Sequence, residues 1–154
     1  MPANVKAIPD GYSNVTPYLV IKGAANAIEF YKSVFGATER FRMPMPGDRI
    51  GHAELQIGDS VIMLADECNE MATRNPLAIG GTPVSIHLYV KDVDNVVNSA
   101  KTHGAQVIRE VANQFYGDRS GTIKDPFGHI WNISTHVEDV SPEEMQKRMA
   151  ALPR

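Results

Sequence analysis

The chain predicts an α+β fold written twice, each copy a β-α-β-β-β module. One observation is an internal repeat. Val15-Thr16-Pro17-Tyr18-Leu19-Val20-Ile21-Lys22 aligns with Val84-Ser85-Ile86-His87-Leu88-Tyr89-Val90-Lys91 at an offset of 84 − 15 = 69, and self-similarity at a fixed spacing marks a duplicated unit. Asn26 then meets Asn95 and Lys32 meets Lys101, one dropped residue brings Gly36-Ala37 onto Gly104-Ala105, and Gly51 and Gly58 meet Gly121 and Gly128 at an offset of 70. The other observation is that both copies show the same order of local patterns.

Each copy opens on a run of β-branched and aromatic residues, which reads as a strand. In copy one Ala24, Ala27, Ile28, Tyr31, Val34 and Phe35 recur at helical spacing, and Gly36 supplies a left-handed stop. In copy two Asp92 is the N-cap, Val93, Val96, Val97 and Ala100 form the stripe, and Gly104 ends it. Three strands follow each helix: about Thr38–Met43, Gly51–Ile57 and Ser60–Ala65, then about Gln106–Val111, Gly121–Lys124 and His129–Ser134. Gly58-Asp59 and Asp125-Pro126-Phe127-Gly128 are the tight turns before the last strands. The expected organisation is one domain over residues 1–154, with modules at about 15–68 and 84–137 and an Asn-, Pro- and Gly-rich linker at 69–83. Ser141-Pro142-Glu143-Glu144 is a capping box that starts a C-terminal helix at about 141–150, with Glu143/Lys147 and Glu144/Arg148 spaced for ion pairs and Met145 and Met149 expected to dock on the body.

Composition narrows the function classes. A chain of 154 residues buries enough surface to fold without a staple, and the lone Cys68 excludes an internal disulfide framework. Fifteen Lys and Arg against 18 Asp and Glu leave a net charge of −3, which argues against a nucleic-acid partner. No apolar run approaches the roughly 20 residues of a membrane span, and the N-terminus lacks the apolar core of a secretion signal. A cytoplasmic protein with no membrane partner is the expectation.

Phe30-Tyr31-Lys32-Ser33-Val34-Phe35-Gly36 closing the first helix and Asp125-Pro126-Phe127-Gly128 before the last strand, within paired β-α-β-β-β modules, resemble the vicinal-oxygen-chelate superfamily. That superfamily holds glyoxalases, bleomycin-resistance proteins and ring-cleaving dioxygenases. Ile50-Gly51-His52-Ala53-Glu54-Leu55 and Gln114-Phe115-Tyr116-Gly117-Asp118-Arg119 are similar to its PhnB-like branch. The resemblance spans about Val15 to Val137. It implies that the modules form a half-open curled sheet, that a trough between them takes the ligand, and that the protein is a homodimer. Metal-dependent members carry His, Glu or Gln ligands on the first and last strands of each module. Here those positions fall on Thr16, Met63 (or Leu64, in the neighbouring register), Ser85 and Asn132, which are poor ligands for zinc, nickel or iron. No metal is expected there.

Strand alternation supplies the remaining candidates. Gly51, Ala53, Leu55 and Ile57 make an apolar face that packs on the helix, so His52, Glu54 and Gln56 line the trough, as do Ser85, His87 and Tyr89 in the second copy. Tyr18, Tyr89 and Met63 add apolar area to the same cavity, and His52 and His87 are expected to share it. Tyr116 and Arg119 lie in a Gly-flanked loop at the trough mouth, where Arg119 either holds a ligand's carboxylate or phosphate or closes a structural salt bridge. His52 and Glu54 are also the candidate catalytic pair, acid and base. Trp131 is assigned to the core, and His103, His129 and His136 to the surface. The acidic surroundings of Cys68 disfavour a thiolate nucleophile. The leading functional expectation is a protein that binds a small molecule without a metal. The alternatives are a glyoxalase-type lyase or isomerase whose metal or acid-base groups are His52, Glu54 and His87, with a divalent metal as its cofactor where one is held, and a non-catalytic scaffold.

Overall fold

The computed structural model describes residues 4–154. The chain divides at Gly80–Gly81 into two compact units. The first contains β1 (Tyr18–Ile21), α1 (Ala24–Phe35), β2 (Thr38–Met45), β3 (Arg49–Ile57) and β4 (Ser60–Asp66). Its sheet order is β1-β4-β3-β2, with β1 parallel to β4 and the other neighbours antiparallel. Residues 69–83, read as a linker, include a single 3-10 turn at Asn69–Met71 and a short helix α2 (Pro76–Ile79), which Asn75 caps by accepting from the N–H groups of Leu77 and Ala78.

The second unit repeats the plan with β5 (Ser85–Tyr89), α3 (Val93–Thr102), β6 (Gln106–Asn113), β7 (Asp118–Lys124) and β8 (Ile130–His136), in the order β5-β8-β7-β6, and ends in α4 (Pro142–Ala150). Two four-stranded mixed sheets, neither closed, each with a helix returning over one face, are the α+β duplication that the repeat predicts.

Burial explains why these segments take these forms. Ala24, Ala27, Ile28, Phe30, Tyr31 and Val34 of α1 are buried, and they lie over Leu19, Ile21, Ala53, Leu55, Ile62 and Leu64 of the sheet, all buried. Trp131, Ile133 and Ile123 do the same beneath α3. The repeat also places the helix caps. Gly23, at the start of α1, has no capping side chain. Instead Asp66 at the end of β4 accepts from Gly23 N (2.9 Å) and Ala24 N (3.0 Å), and its other oxygen accepts from Ile50 N (2.7 Å). Thr135, which stands 135 − 66 = 69 residues later, accepts from Val93 N at 2.9 Å at the start of α3. The last strand of each unit therefore supplies a group to an orphan N–H of its own helix. In α4 the cap is Ser141, as expected. Docking on the body is corrected for Met149, which is exposed, while Met145 is half-buried. Arg148 holds the helix down, through Glu144, Glu138 and the carbonyl of Phe115.

Candidate functional site

The ladder registers fix which side chains share a face. In the first unit Tyr18 pairs with Met63, Met63 with Glu54, and Glu54 with Phe41, a single rung crossing all four strands on the side away from α1. Met63 rather than Leu64 stands on that face, since Leu64 is buried opposite Leu19 and Ala53. His52 stands one alternation along, opposite Met43. The alternation read from β3 therefore has the correct phase. Thr16 is half-buried just ahead of β1, where Pro17 O accepts from Met63 N at 2.9 Å.

These side chains form a directed chain of hydrogen bonds. Glu54 is 8% exposed. One of its oxygens is 2.8 Å from His52 Nε2, and the other accepts from the Tyr12 hydroxyl. His52 Nδ1 is 2.9 Å from the Tyr18 hydroxyl. A carboxylate only accepts, so Nε2 carries the imidazole proton, and in neutral His52 the Nδ1 lone pair accepts from Tyr18. Burial pushes Glu54 up, but the hydrogen bonds from Tyr12 and His52, with the charge of Arg40, outweigh it and hold the carboxyl below its ordinary range. Burial first, and Glu54 second, raise Tyr18 above the usual phenol value. Around buried Glu54 stand exposed side chains with large apolar area, Tyr18 at 50%, Phe41 at 48% and Met43 at 52%. The Tyr18 and Phe41 rings lie 5.5 and 6.2 Å from that of His52.

In the second unit the equivalent rung is His87–Asn132–Thr122–Arg109. Thr122 donates to Asn132 Oδ1 (2.8 Å) and Asn132 Nδ2 to Ser85 Oγ (2.9 Å), so the polar groups at the ligand positions satisfy one another. His87 and Tyr89 are ring neighbours at 4.9 Å. Tyr89 donates to Asp118 Oδ2 at 2.7 Å, and Asp118 Oδ1 lies 2.8 Å from His136 Nδ1. Tyr116 is half-buried in the β6–β7 loop, edge-on to Phe115.

Arg119 is a correction. It lies within β7, which begins three residues earlier than expected, and it shares the helix-facing side with Gly121 and Ile123. Its Nε and Nη2 form a two-point pair with Asp94 of α3 at 2.7 and 2.9 Å, while Nη1 donates to Asn113. The guanidinium is a strut between helix and sheet, the structural salt bridge of the two readings, with Asp94 as its partner. Sequence reasoning also passed over Tyr12, Arg40 and Asp118. Tyr12 belongs to no periodic segment, Arg40 sits at a register break of the β2–β3 ladder, and a lone acid within an expected loop carries no burial signal.

His136 links this face to the following segment. Its Nε2 lies 2.7 Å from Asp139, so both ring nitrogens face carboxylates and the protonated ring donates to both. Asp139 first, and Asp118 second, raise its pKa above the ordinary imidazole value. Burial pushes Asp118 up, but His136 and Tyr89 reverse that and leave it lowered. The signs give a stability window. The His136 contribution is full below its unfolded value and is lost as pH rises through the raised folded value. The Asp118 contribution is present above its unfolded value and is lost as pH falls through the lowered folded one. In His136→Gln the alkaline arm of the urea-midpoint profile is expected to flatten, and added salt to have the same direction of effect, because Asp139 is fully exposed. Unchanged profiles would reject the assignment.

Among the described residues no three His, Cys, Asp or Glu side chains gather closely enough to hold a metal ion, and Met63, Ser85 and Asn132 are neutral groups on their rungs. A cleft of about 700 Å³ in the first unit lies elsewhere, at the start of α1, among Lys22, Asp48, Arg49, Glu67 and Cys68. Asp66 already takes the helix N–H groups there. Among the described residues no helix is long and apolar enough to cross a membrane.

Comparisons with known proteins agree with the fold. The family described as Glyoxalase/Bleomycin resistance protein/Dioxygenase superfamily matches residues 15–133. An uncharacterized protein of Mycobacterium bovis is 40% identical over 140 residues, covering 89% of this chain and 92% of its own. Among solved structures, a gene product of Arabidopsis thaliana superimposes with a TM-score of 0.65 at 25% identity, covering 80% of this chain and 98% of its own. A PhnB protein of Bacillus cereus gives a TM-score of 0.63 at 17% identity, covering 80% and 99%.

Proposed function

Since the chain belongs to the glyoxalase/bleomycin resistance protein/dioxygenase superfamily, we propose that it binds a small, flat, amphiphilic molecule on the first unit's sheet face, without a metal. The observation that carries this reading is Glu54, a buried carboxylate held by two side-chain donors and bordered by exposed Tyr18, Phe41 and Met43. A few placed polar groups within an apolar surround are what a small-molecule site needs. Thr16, Tyr18, His52, Glu54 and Met63 belong to the ligand face of the first unit. Ser85, His87, Asn132 and Tyr116 are its counterparts on the second, and Arg119 is left out. Binding is favoured over proton abstraction because a carboxylate that holds its charge this firmly is a weak base.

The test is a thermal-shift screen of flat amphiphiles, followed by calorimetric titration of the hits. His52→Ala and Phe41→Ala are each expected to weaken a hit by about 1–3 kcal/mol, roughly 5- to 150-fold in Kd, with little loss of stability. Hits whose affinity per folded molecule ignores both substitutions would overturn the reading. A glyoxalase-type turnover that stops on chelation and returns with a divalent metal would overturn it in favour of the lyase. The same proposal takes the protein to be a cytoplasmic homodimer that covers exposed strand edges. A monomer mass by light scattering at micromolar concentration rejects the dimer.

A further inference from the structure

We propose that the Glu54 face contains a subsite for a hydroxylated aromatic ring, and that Tyr12 is its resident occupant, which must leave before a ligand's phenol can take its place. The inference rests on the binding reading above and names what that face recognises. Residues 4–11 and 13–15 are exposed, and Tyr12 alone in that run is half-buried. Its hydroxyl donates to Glu54 Oε1. The Arg40 guanidinium stands 4.8 Å over its ring, and Arg40 Nη1 donates to Gly11 O at 3.1 Å. The segment is thus tied to the sheet through Gly11 and Tyr12, whereas the Lys6–Asp10 pair and the Tyr12 N to Pro9 O bond tie it only to itself.

Two features read the ring. A carboxylate oxygen accepts its O–H, and the other oxygen of the same group is fixed by His52. A cation lies on its π-face, where the ring quadrupole attracts positive charge. Arg40 reaches that position from the register break between Glu39 and Phe41, and also approaches Gln56 Oε1 at 3.4 Å. None of these contacts depends on the ring's being attached to the chain. A free phenol can make all of them, and the exposed segment gives up three sheet contacts when it swings away. Charge sets the selectivity. The bond to Glu54, with burial and the charge of Glu54 behind it, raises Tyr12 above the usual phenol value, so the resident group stays protonated and donates. An incoming group must also bring a proton, and a phenolate or carboxylate would face Glu54 with like charge.

The experiment uses the full chain as wild type, Tyr12→Ala, Tyr12→Phe and the double variant Tyr12→Ala/Glu54→Gln. The probe is 4-methylphenol, which is the tyrosine side chain detached, with toluene and benzoate as comparisons. Affinities are read by calorimetry or ligand-observed NMR, and circular dichroism confirms folding of each variant. Tyr12→Ala is expected to bind 4-methylphenol at least tenfold more tightly than wild type and to prefer it at least tenfold over toluene and benzoate. Adding Glu54→Gln should erase the preference over benzoate, and Tyr12→Phe, which keeps a ring in place but loses its anchor, should fall between wild type and Tyr12→Ala. Equal 4-methylphenol affinity in wild type and Tyr12→Ala, or a Tyr12→Ala protein that prefers toluene, overturns the proposal. If that happens while screened hits still weaken in Phe41→Ala, the Tyr12 assignment alone fails. If the hits also ignore Phe41→Ala and His52→Ala, the binding reading fails with it.

Discussion

Asp125→Ala is expected to lower the unfolding free energy by about 3–5 kcal/mol. Asp125 is buried at the turn between β7 and β8. One oxygen accepts from Phe127 N (2.9 Å) and His129 N (3.0 Å), and the other from Trp131 Nε1 (2.9 Å). The first two bonds shape the Asp-Pro-Phe-Gly turn. The third ties the turn to the large core side chain beneath α3. Alanine leaves three donors without their acceptor, and the indole N–H is too deep for water to replace it. Near 150 residues, such a loss lowers Tm by roughly 10–15 °C. Asp125→Asn keeps an acceptor for the turn and should lose less. A double-mutant cycle with Trp131→Phe separates the turn from the indole: coupling near zero would show that the indole bond contributes nothing.

The same turn shows what the sequence could reveal. Its Asp, Pro and Gly occupy positions with a local physical meaning, so a turn was legible without coordinates. The helices were legible for a similar reason, because α1 and α3 are amphipathic and end at glycines with little Cβ conflict. Long-range register was harder. The glycine alignment sets β3 against β7 at 121 − 51 = 70, whereas the ladder rungs place Glu54 with Thr122, 122 − 54 = 68. A shift of two residues preserves which face a side chain takes. The side taken by His52 and Glu54 did not depend on that alignment, because it was read from the apolar alternation of Ala53, Leu55 and Ile57 within β3 itself.

The loop placement of Arg119 failed for a different reason. Its face follows from where β7 begins, and Gly117-Asp118 looked like loop. Once the strand starts at Asp118, parity places Arg119 with Ile123 under α3 and puts Asp118 on the open side beside His136. Tyr12 and Arg40 had no periodic signal. One sits in an exposed segment and the other where the ladder slips, so only the fold brings either near Glu54. The cap on α1 is another case, since Asp66 is 42 residues distant in sequence from the Ala24 N–H that it accepts.

Gly117→Ala is expected to cost about 3 kcal/mol or more and to loosen α4 along with the Asp118 face. Gly117 has φ +101°, which an L side chain rarely adopts, and a Cβ there would lie 2.2 Å from the backbone oxygen of Glu138 and 3.1 Å from Val140 Cγ2. The obstacle is main chain and cannot turn aside as a side chain would. It is also held in place, because Gly117 O accepts from Val137 N (2.9 Å) and Glu138 N (3.0 Å). Relief of the clash therefore pulls residues 137–140 away and breaks both bonds. Glu138 then leaves Arg148, whose Nη1 and Nη2 it meets at 2.9 and 2.6 Å, and α4 loses the pair that holds it to the unit. Asp139 moves away from His136 at the same time, so the imidazole loses the partner that raises its pKa most. Denaturant titration, amide exchange across α4 and an NMR titration of His136 should accordingly change together: a lower midpoint, faster exchange and a His136 pKa returning toward the ordinary imidazole value. A stability loss with α4 exchange and the His136 titration unchanged would show that Gly117 serves its turn alone and does not couple α4 to the sheet.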